Sequence, residues 1–349
     1  MSSQAKSPGP AAKAAPLVIP VFLPHAGCPH RCIFCNQSAV TGRAEPDPAG
    51  ARREIEEKLA WASPGKAPWV EIAFFGGNFL GTEPSVRRTY LEAADFFCQK
   101  GLARGIRFST RPETISPHSL ESLKGFDVRT VEIGVQSLDD AVLASCCRGH
   151  SAQESKDAAE KVREAGYCLG LQLMAGLPGQ SRESALESAR QAAALCPDFV
   201  RIYPTLVLAQ SPLANLWRKG AYKPLSLEEA VEICAGMLAV FVEAGIPVAR
   251  MGLCEDPALS TPGAVLAGPR HPAFGHLAQC ALFLEKARRV LKAAPPPGDT
   301  ACLLVHPASI SRMRGHGNSN VELLKKEFGL KRLEVAPDAK AGPWEVFVG

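Results

Sequence analysis

The residues best suited to chemistry lie in Gly27-Cys28-Pro29-His30-Arg31-Cys32-Ile33-Phe34-Cys35-Asn36. Three residues separate Cys28 from Cys32 and two separate Cys32 from Cys35, so one short loop can turn three thiolates toward a single metal centre. A cubane iron-sulfur cluster takes four ligands, usually thiolates, and a loop offering three leaves one iron open to a small molecule. The alternative is zinc, with His25 or His30 completing a tetrahedral set of three cysteines and one histidine. Structural zinc usually draws its ligands as two separated pairs, and the sequence shows no second pair, so the loop favours the cluster.

The elements that must position this loop follow from hydrophobic periodicity. Residues 17–23 form an apolar, strand-like run that leads directly into it. Further strands are expected over 70–75, 106–109, 130–135, 169–174 and 199–203, most of them continuous apolar runs of the kind found in buried parallel sheets. Helices are expected over 48–62, 85–99, 117–124, 139–146, 152–165 and 183–195, with a long amphipathic helix over 225–244 before a strand at 247–251. Six strands alternating with helices imply a parallel sheet covered by helices. In barrels of that kind the loops after the strands form the catalytic face, and here those loops carry the unusual residues.

At 349 residues the chain can bury a large core, and its net charge of +4 permits an anionic partner such as RNA without arguing for one. Twelve cysteines without regular spacing outside the loop point to a reducing setting rather than a disulfide framework. Residues 1–16, rich in Ala, Pro, Ser and Lys, read as a disordered tail. The run at 17–23 is too short to span a bilayer, so a soluble, cytoplasmic protein is expected. The fold class is then α/β, a partial (β/α)6 TIM-like barrel over 17–254 with a small C-terminal α/β extension over 255–349. In that extension 302–306, 320–328 and 344–348 suggest strand, helix and strand.

The cysteine spacing, with Phe34 just before the last thiol, resembles the signature of the radical S-adenosylmethionine (SAM) superfamily. Phe75-Gly76-Gly77-Asn78-Phe79 looks like that superfamily's glycine-glycine motif, with Asn78 in place of the usual Glu. Val131-Glu132-Ile133-Gly134-Val135-Gln136-Ser137, Arg148-Gly149-His150 and Leu173-Met174-Ala175-Gly176-Leu177-Pro178-Gly179 resemble the branch that holds oxygen-independent coproporphyrinogen oxidase and the catalytic subunit of Elongator. Phe108-Ser109-Thr110-Arg111-Pro112 and Arg201-Ile202-Tyr203-Pro204-Thr205 are closer to the Elongator side.

The resemblance implies that Cys28, Cys32 and Cys35 hold a 4Fe-4S cluster whose open iron takes S-adenosyl-L-methionine. Gly76 and Gly77, with Asn78, would hold the methionine amino group. Phe34 would lie against the adenine, Gln136 would bond the ribose, and Arg148 would pair with the methionine carboxylate. Ser109 and Gln172 stand where the coproporphyrinogen branch has acidic nucleoside contacts. It further implies an electron donor such as flavodoxin or ferredoxin and a substrate that loses a hydrogen atom, such as a tRNA base. Neither family's reaction is expected to transfer whole: the ~95 residues after the barrel are too few for a typical acetyltransferase domain like that of Elongator's subunit, and Phe22-Leu23-Pro24-His25 replaces the aromatic-His text of the porphyrinogen oxidases. A porphyrin-pathway radical enzyme, or a non-catalytic metal-stabilised barrel that binds RNA or protein, are the alternatives.

Several residues carry two readings. Cys254 after the last strand is either a hydrogen-atom donor at the barrel mouth or an inert small hydrophobe. Arg270, His271, Arg312, Arg314 and His316 are either contacts to a phosphate backbone or ordinary surface cations. Tyr203 and Tyr222 either stack on a base or line the core and rim.

Overall fold

A strand buried on one face by helices and lining a cavity with the other must alternate apolar and polar residues, and this alternation organises the molecule. The computed structural model describes residues 16–37, 46–61, 69–253 and 257–349. Most of the segment read as a tail, and Cys254, lie outside the described residues. The strands are β1 (Leu17–Phe22), β2 (Val70–Phe75), β3 (Ile106–Thr110), β4 (Val128–Gln136), β5 (Cys168–Ala175) and β6 (Phe199–Pro204). After the short β7 (Val207–Leu208), β8 (Val248–Met251) returns to the same sheet. The order is β1-β2-β3-β4-β5-β6-β8, parallel throughout.

Strand order follows chain order without reversal, so right-handed crossovers all place their helices on one face and the sheet curls around the other. This is the expected partial barrel, with β8 as a seventh strand beyond the six helix-paired units. On the outward face Ile72, Phe74, Ile106, Phe108, Val131, Ile133, Leu169, Leu171, Val200 and Ile202 are essentially fully buried. They share one core with the helices Ala51–Trp61, Pro84–Gln99, Ala152–Glu164, Arg182–Ala194 and Leu227–Glu243.

The inward face is charged. Glu132 on β4 is 0% exposed and accepts hydrogen bonds from Arg201 Nε (2.8 Å) and Nη2 (3.1 Å), Arg107 Nη1 (3.2 Å) and Gln172 Nε2 (3.0 Å). Arg107 also donates from Nε to Glu71 at 2.6 Å. Two carboxylates and two guanidiniums from β2, β3, β4 and β6 therefore balance inside the barrel. Burial of single charges would be prohibitive; paired and hydrogen-bonded, they also fix the strand register.

Past β8 the chain returns through β9 (Val265–Ala267), which pairs with β7. It then forms a 20-residue helix, Phe274–Ala293, that the sequence reading missed. Its first half enters the barrel core through Phe274 and Ala278, and its second half enters a separate core through Phe283, Ala287 and Leu291. Two faces serving two cores leave no single apolar stripe, so the helical periodicity is blurred in the sequence. The second core lies under β10 (Thr300–Val305), flanked by parallel β11 (Arg332–Pro337) and antiparallel β12 (Val346–Val348). Strand β11 was also not read from sequence: its alternation of exposed Arg332 and Glu334 with buried Leu333 and Val335 spans only four residues before Ala336 and Pro337.

Glu132→Ala leaves two buried guanidiniums without their shared carboxylate. Loss of one partner from a buried pair costs about 3–5 kcal/mol. Chemical denaturation of wild type and variant measures this; a loss below about 1 kcal/mol, the range of an exposed ion pair, would show that the interior network does not hold the sheet together.

Candidate active site

The loop after β1 is folded back against the loop after β2. Ala26 O accepts from Asn78 N at 2.7 Å, and Gly27 takes a φ of +67° in the turn before Cys28. A side chain at Gly27 would strike the backbone of Asn78, Gly81 and Thr82, so only glycine lets the two loops approach this closely. Downstream, Ile33 donates from its N–H to Cys146 O (3.1 Å), and its own carbonyl receives Leu213 N (2.8 Å). The Ile33 side chain is buried with Val142, Cys146, Leu213 and Tyr222. Both ends of the cysteine loop are thereby anchored in the barrel.

Asn78 is not where the resemblance put it. Its side chain is 0% exposed and lies behind the cavity wall. The amide donates to Gly27 O at 2.9 Å, while its oxygen accepts from Thr110 Oγ1 (2.7 Å), Arg111 N (3.0 Å) and Thr114 Oγ1 (2.9 Å). One donor and one acceptor are both needed, so a carboxylate could not replace it. The residue ties the cysteine loop to the end of β3 instead of facing a ligand.

The remaining predicted site residues meet. Cys28, Cys32, Phe34, Cys35, Gly76, Gly77, Ser109, Gln136, Arg148 and Gln172 all line one cavity of about 470 Å³ at the C-terminal ends of the strands. Gln136 ends β4 with a φ of +67°, a conformation that L-residues rarely adopt. Ser109 and Gln172 face the same space but are bonded to each other at 3.0 Å, and Gln172 also binds the buried Glu132. Gly77 N–H donates to Gln37 Oε1 at 2.8 Å, which places Gln37, a residue not foreseen, in the glycine turn.

The cavity wall carries Arg31, Arg111, Arg148, Arg201 and Arg250 and, among the described residues, no carboxylate. Arg148 Nη1 lies 3.2 Å from Cys32 Sγ, and its Nη2 donates to Gly134 O. Its Nε is buried without a partner. Arg111, 2% exposed, places Nη1 at 3.4 Å from the same sulfur. Burial, and then the charge of the neighbouring cysteines, pushes the Cys35 thiol up to about 12. Burial likewise raises Cys28, against the pull of Arg111. Such thiols ionise only when a metal replaces the proton.

Sequence reasoning passed over Glu113, His150, Glu132, Arg107, Arg111, Arg201 and Arg250 as site residues. For the strand residues there was a signal: charged side chains at alternate positions of strands that must be buried on both sides. Of the residues left with two readings, Tyr203 lines the cavity, whereas Tyr222 donates to Gly176 O at 2.7 Å in the packing beneath the cysteine loop. Arg270, His271, Arg312, Arg314 and His316 do not line the cavity. Arg312 lies over the Trp344 ring at 5.3 Å.

Residues 22–192 match the radical SAM superfamily, and residues 197–285 match the radical SAM C-terminal domain. The chain belongs to the radical SAM superfamily and is an enzyme of that class. It is 27% identical over 257 residues to the tRNA uridine(34) acetyltransferase of Methanocaldococcus infernus, which covers 62% of this chain and 48% of that protein. It is 28% identical over 192 residues to Elongator complex protein 3 of Saccharomyces cerevisiae, covering 49% of this chain and 34% of that protein. The chain thus spans about half the length, or less, of these relatives. Its fold is similar to that of the archaeal Methanocaldococcus infernus Elp3, with a TM-score of 0.60 over 79% of this chain and 64% of that one at 22% identity.

The cofactors of this superfamily are a 4Fe-4S cluster and SAM, and the donor set fits them. Three thiols, Cys28, Cys32 and Cys35, line one cavity, and a cubane offers each thiolate its own iron corner. The orphaned Arg148 Nε, buried beside Gln136, suits an anionic group such as a carboxylate.

Two outcomes follow. Asn78→Asp sets a carboxylate against the Gly27 carbonyl and leaves a buried acceptor without a donor, which costs about 1–3 kcal/mol. A thermal shift assay of the two proteins reads the loss. Glu113 gives a pH signature. Burial opposes its ionisation, but His150 and Arg111 outweigh it and bring the carboxyl from 4.5 down to about 2. A depressed folded-state pKa contributes stability above the unfolded value that is lost as pH falls through the folded one. Wild type should therefore lose stability relative to Glu113→Gln between about pH 4.5 and 2, read as a narrowing Tm difference in buffered acid.

Proposed function

We propose that this chain reductively cleaves SAM at a 4Fe-4S cluster held by Cys28, Cys32 and Cys35, and that the substrate is RNA, a tRNA base. The observation that carries the first part is the convergence of the three loop cysteines, the glycine turn, Gln136 and Arg148 on one cavity. When bound, the cluster and SAM supply a 5'-deoxyadenosyl radical that removes a hydrogen atom from the substrate.

The chain's own residues hold and shield that chemistry. Arg148 offers a guanidinium edge to the methionine carboxylate, Gln136 a polar group to the ribose, and Phe34 an apolar surface to the adenine. The cationic wall, with Arg31 exposed at the rim and Arg250 on β8, suits a polyanionic substrate. The tRNA assignment rests on this cationic lining and on the printed function of the Methanocaldococcus relative, of which the chain spans about half. A flavodoxin or ferredoxin supplies the electron in a cytoplasmic setting; no helix among the described residues is long and apolar enough to cross a membrane.

Anaerobic reconstitution with iron and sulfide, then dithionite and SAM, should yield equal amounts of 5'-deoxyadenosine and methionine. Cys32→Ala should reduce both by at least ~100-fold, since each step of reductive cleavage needs the ligated cluster. A cluster-loaded wild type that forms neither product overturns the reading. Profiling of modified nucleosides in a deletion strain addresses the substrate; an unchanged tRNA profile together with accumulated tetrapyrrole would replace RNA by a porphyrin precursor.

A further inference from the structure

The three cysteines are not equivalent. Cys32 Sγ has two guanidinium donors, Arg148 Nη1 at 3.2 Å and Arg111 Nη1 at 3.4 Å. Among the described residues no guanidinium stands at hydrogen-bond distance from Cys28 or Cys35. Of the two donors, Arg148 has a spare buried Nε, whereas Arg111 is committed on every side. Its Nε is paired with Glu113 Oε1, its Nη2 donates to the Arg148 carbonyl, and its backbone N–H is held by Asn78. Arg111 is thus fixed as a charge behind the sulfur and has no arm left for a substrate.

Glu113 completes the arrangement. It lies within the 3-10 turn Pro112–Thr114 that Arg111 caps, and its second oxygen lies 3.4 Å from Nδ1 of His150, whose side chain is 0% exposed. Cation and carboxylate are therefore aligned in a row, with the positive end against the cluster ligand. Hydrogen bonds and positive charge at a ligating sulfur withdraw electron density and stabilise the reduced cluster. A carboxylate one residue further out offsets part of that effect.

We propose that Arg111, with Glu113 behind it, is a positioning pair that sets the reduction potential of the cluster through Cys32. Resemblance to the family gave neither residue a role. The inference rests on the reading of the three cysteines as cluster ligands.

The test is a potentiometric titration of the anaerobically reconstituted full chain, in which each cluster takes one electron from dithionite and the reduced form is counted by electron paramagnetic resonance. Arg111→Gln should shift the midpoint potential downward and Glu113→Gln should shift it upward. Loss of packing alone has no reason to move the two in opposite directions. Should Arg111→Gln fail to load, Glu113→Gln decides by itself, because an unmoved or lowered midpoint overturns the proposal. Midpoints that stay at the wild-type value in both variants, or that move the same way, overturn it too. A wild type that takes up no iron and sulfide overturns the cluster reading and this inference together; a loaded wild type with unresponsive variants overturns the inference alone.

Discussion

Crowding three ionisable thiols into a half-buried space is the constraint around which the molecule is built. Burial alone disfavours thiolates, and each one formed disfavours the next. The chain answers with fixed positive charge: Arg111 and Arg148 reach Cys32 from the ends of β3 and the loop after β4. Neither guanidinium is free to drift, since one is held by Glu113 and the Arg148 carbonyl and the other by Gly134 O. Preorganised charge of this kind does not have to be reoriented when the site is filled.

The barrel makes that preorganisation affordable. Its outward strand faces are uniformly apolar and supply the cohesion, whereas its inward faces carry a neutral ladder of Glu71, Arg107, Glu132 and Arg201. Below the cavity the charges are mutually satisfied, and Gln172 and Ser109 cap them. Above, at the strand ends, cations face the open space. The mutually paired charges thus form the supporting floor of the barrel, and the arginines at the strand ends line the cavity above it.

Asn78 shows how a departure from a family pattern can be structural. Read from sequence, the amide stands in place of a carboxylate among the contacts to the methionine amino group. In the fold its four side-chain hydrogen bonds tie together the cysteine loop, the turn after β2 and the exit of β3. Its polarity serves the positions of the cysteines and of Arg111. The loop geometry therefore depends on a residue that does not face the cavity.

By itself the sequence determined the local terms. Apolar runs gave strands within one or two residues of β1 to β6, glycines marked the turns that need positive φ, and the loop spacing singled out three cysteines that line one cavity. These features are written in neighbouring residues, so periodicity and spacing suffice to read them. Only the tertiary structure decided what distant charges do. Glu132 meets Arg201 across 69 positions, and Arg148 meets Cys32 across 116. Nothing local in Phe274–Ala293 shows that one helix serves two cores. A charge on an inward strand face and a charge on a solvated one look alike in the chain; closure of the sheet is what sets their partners and removes the water between them.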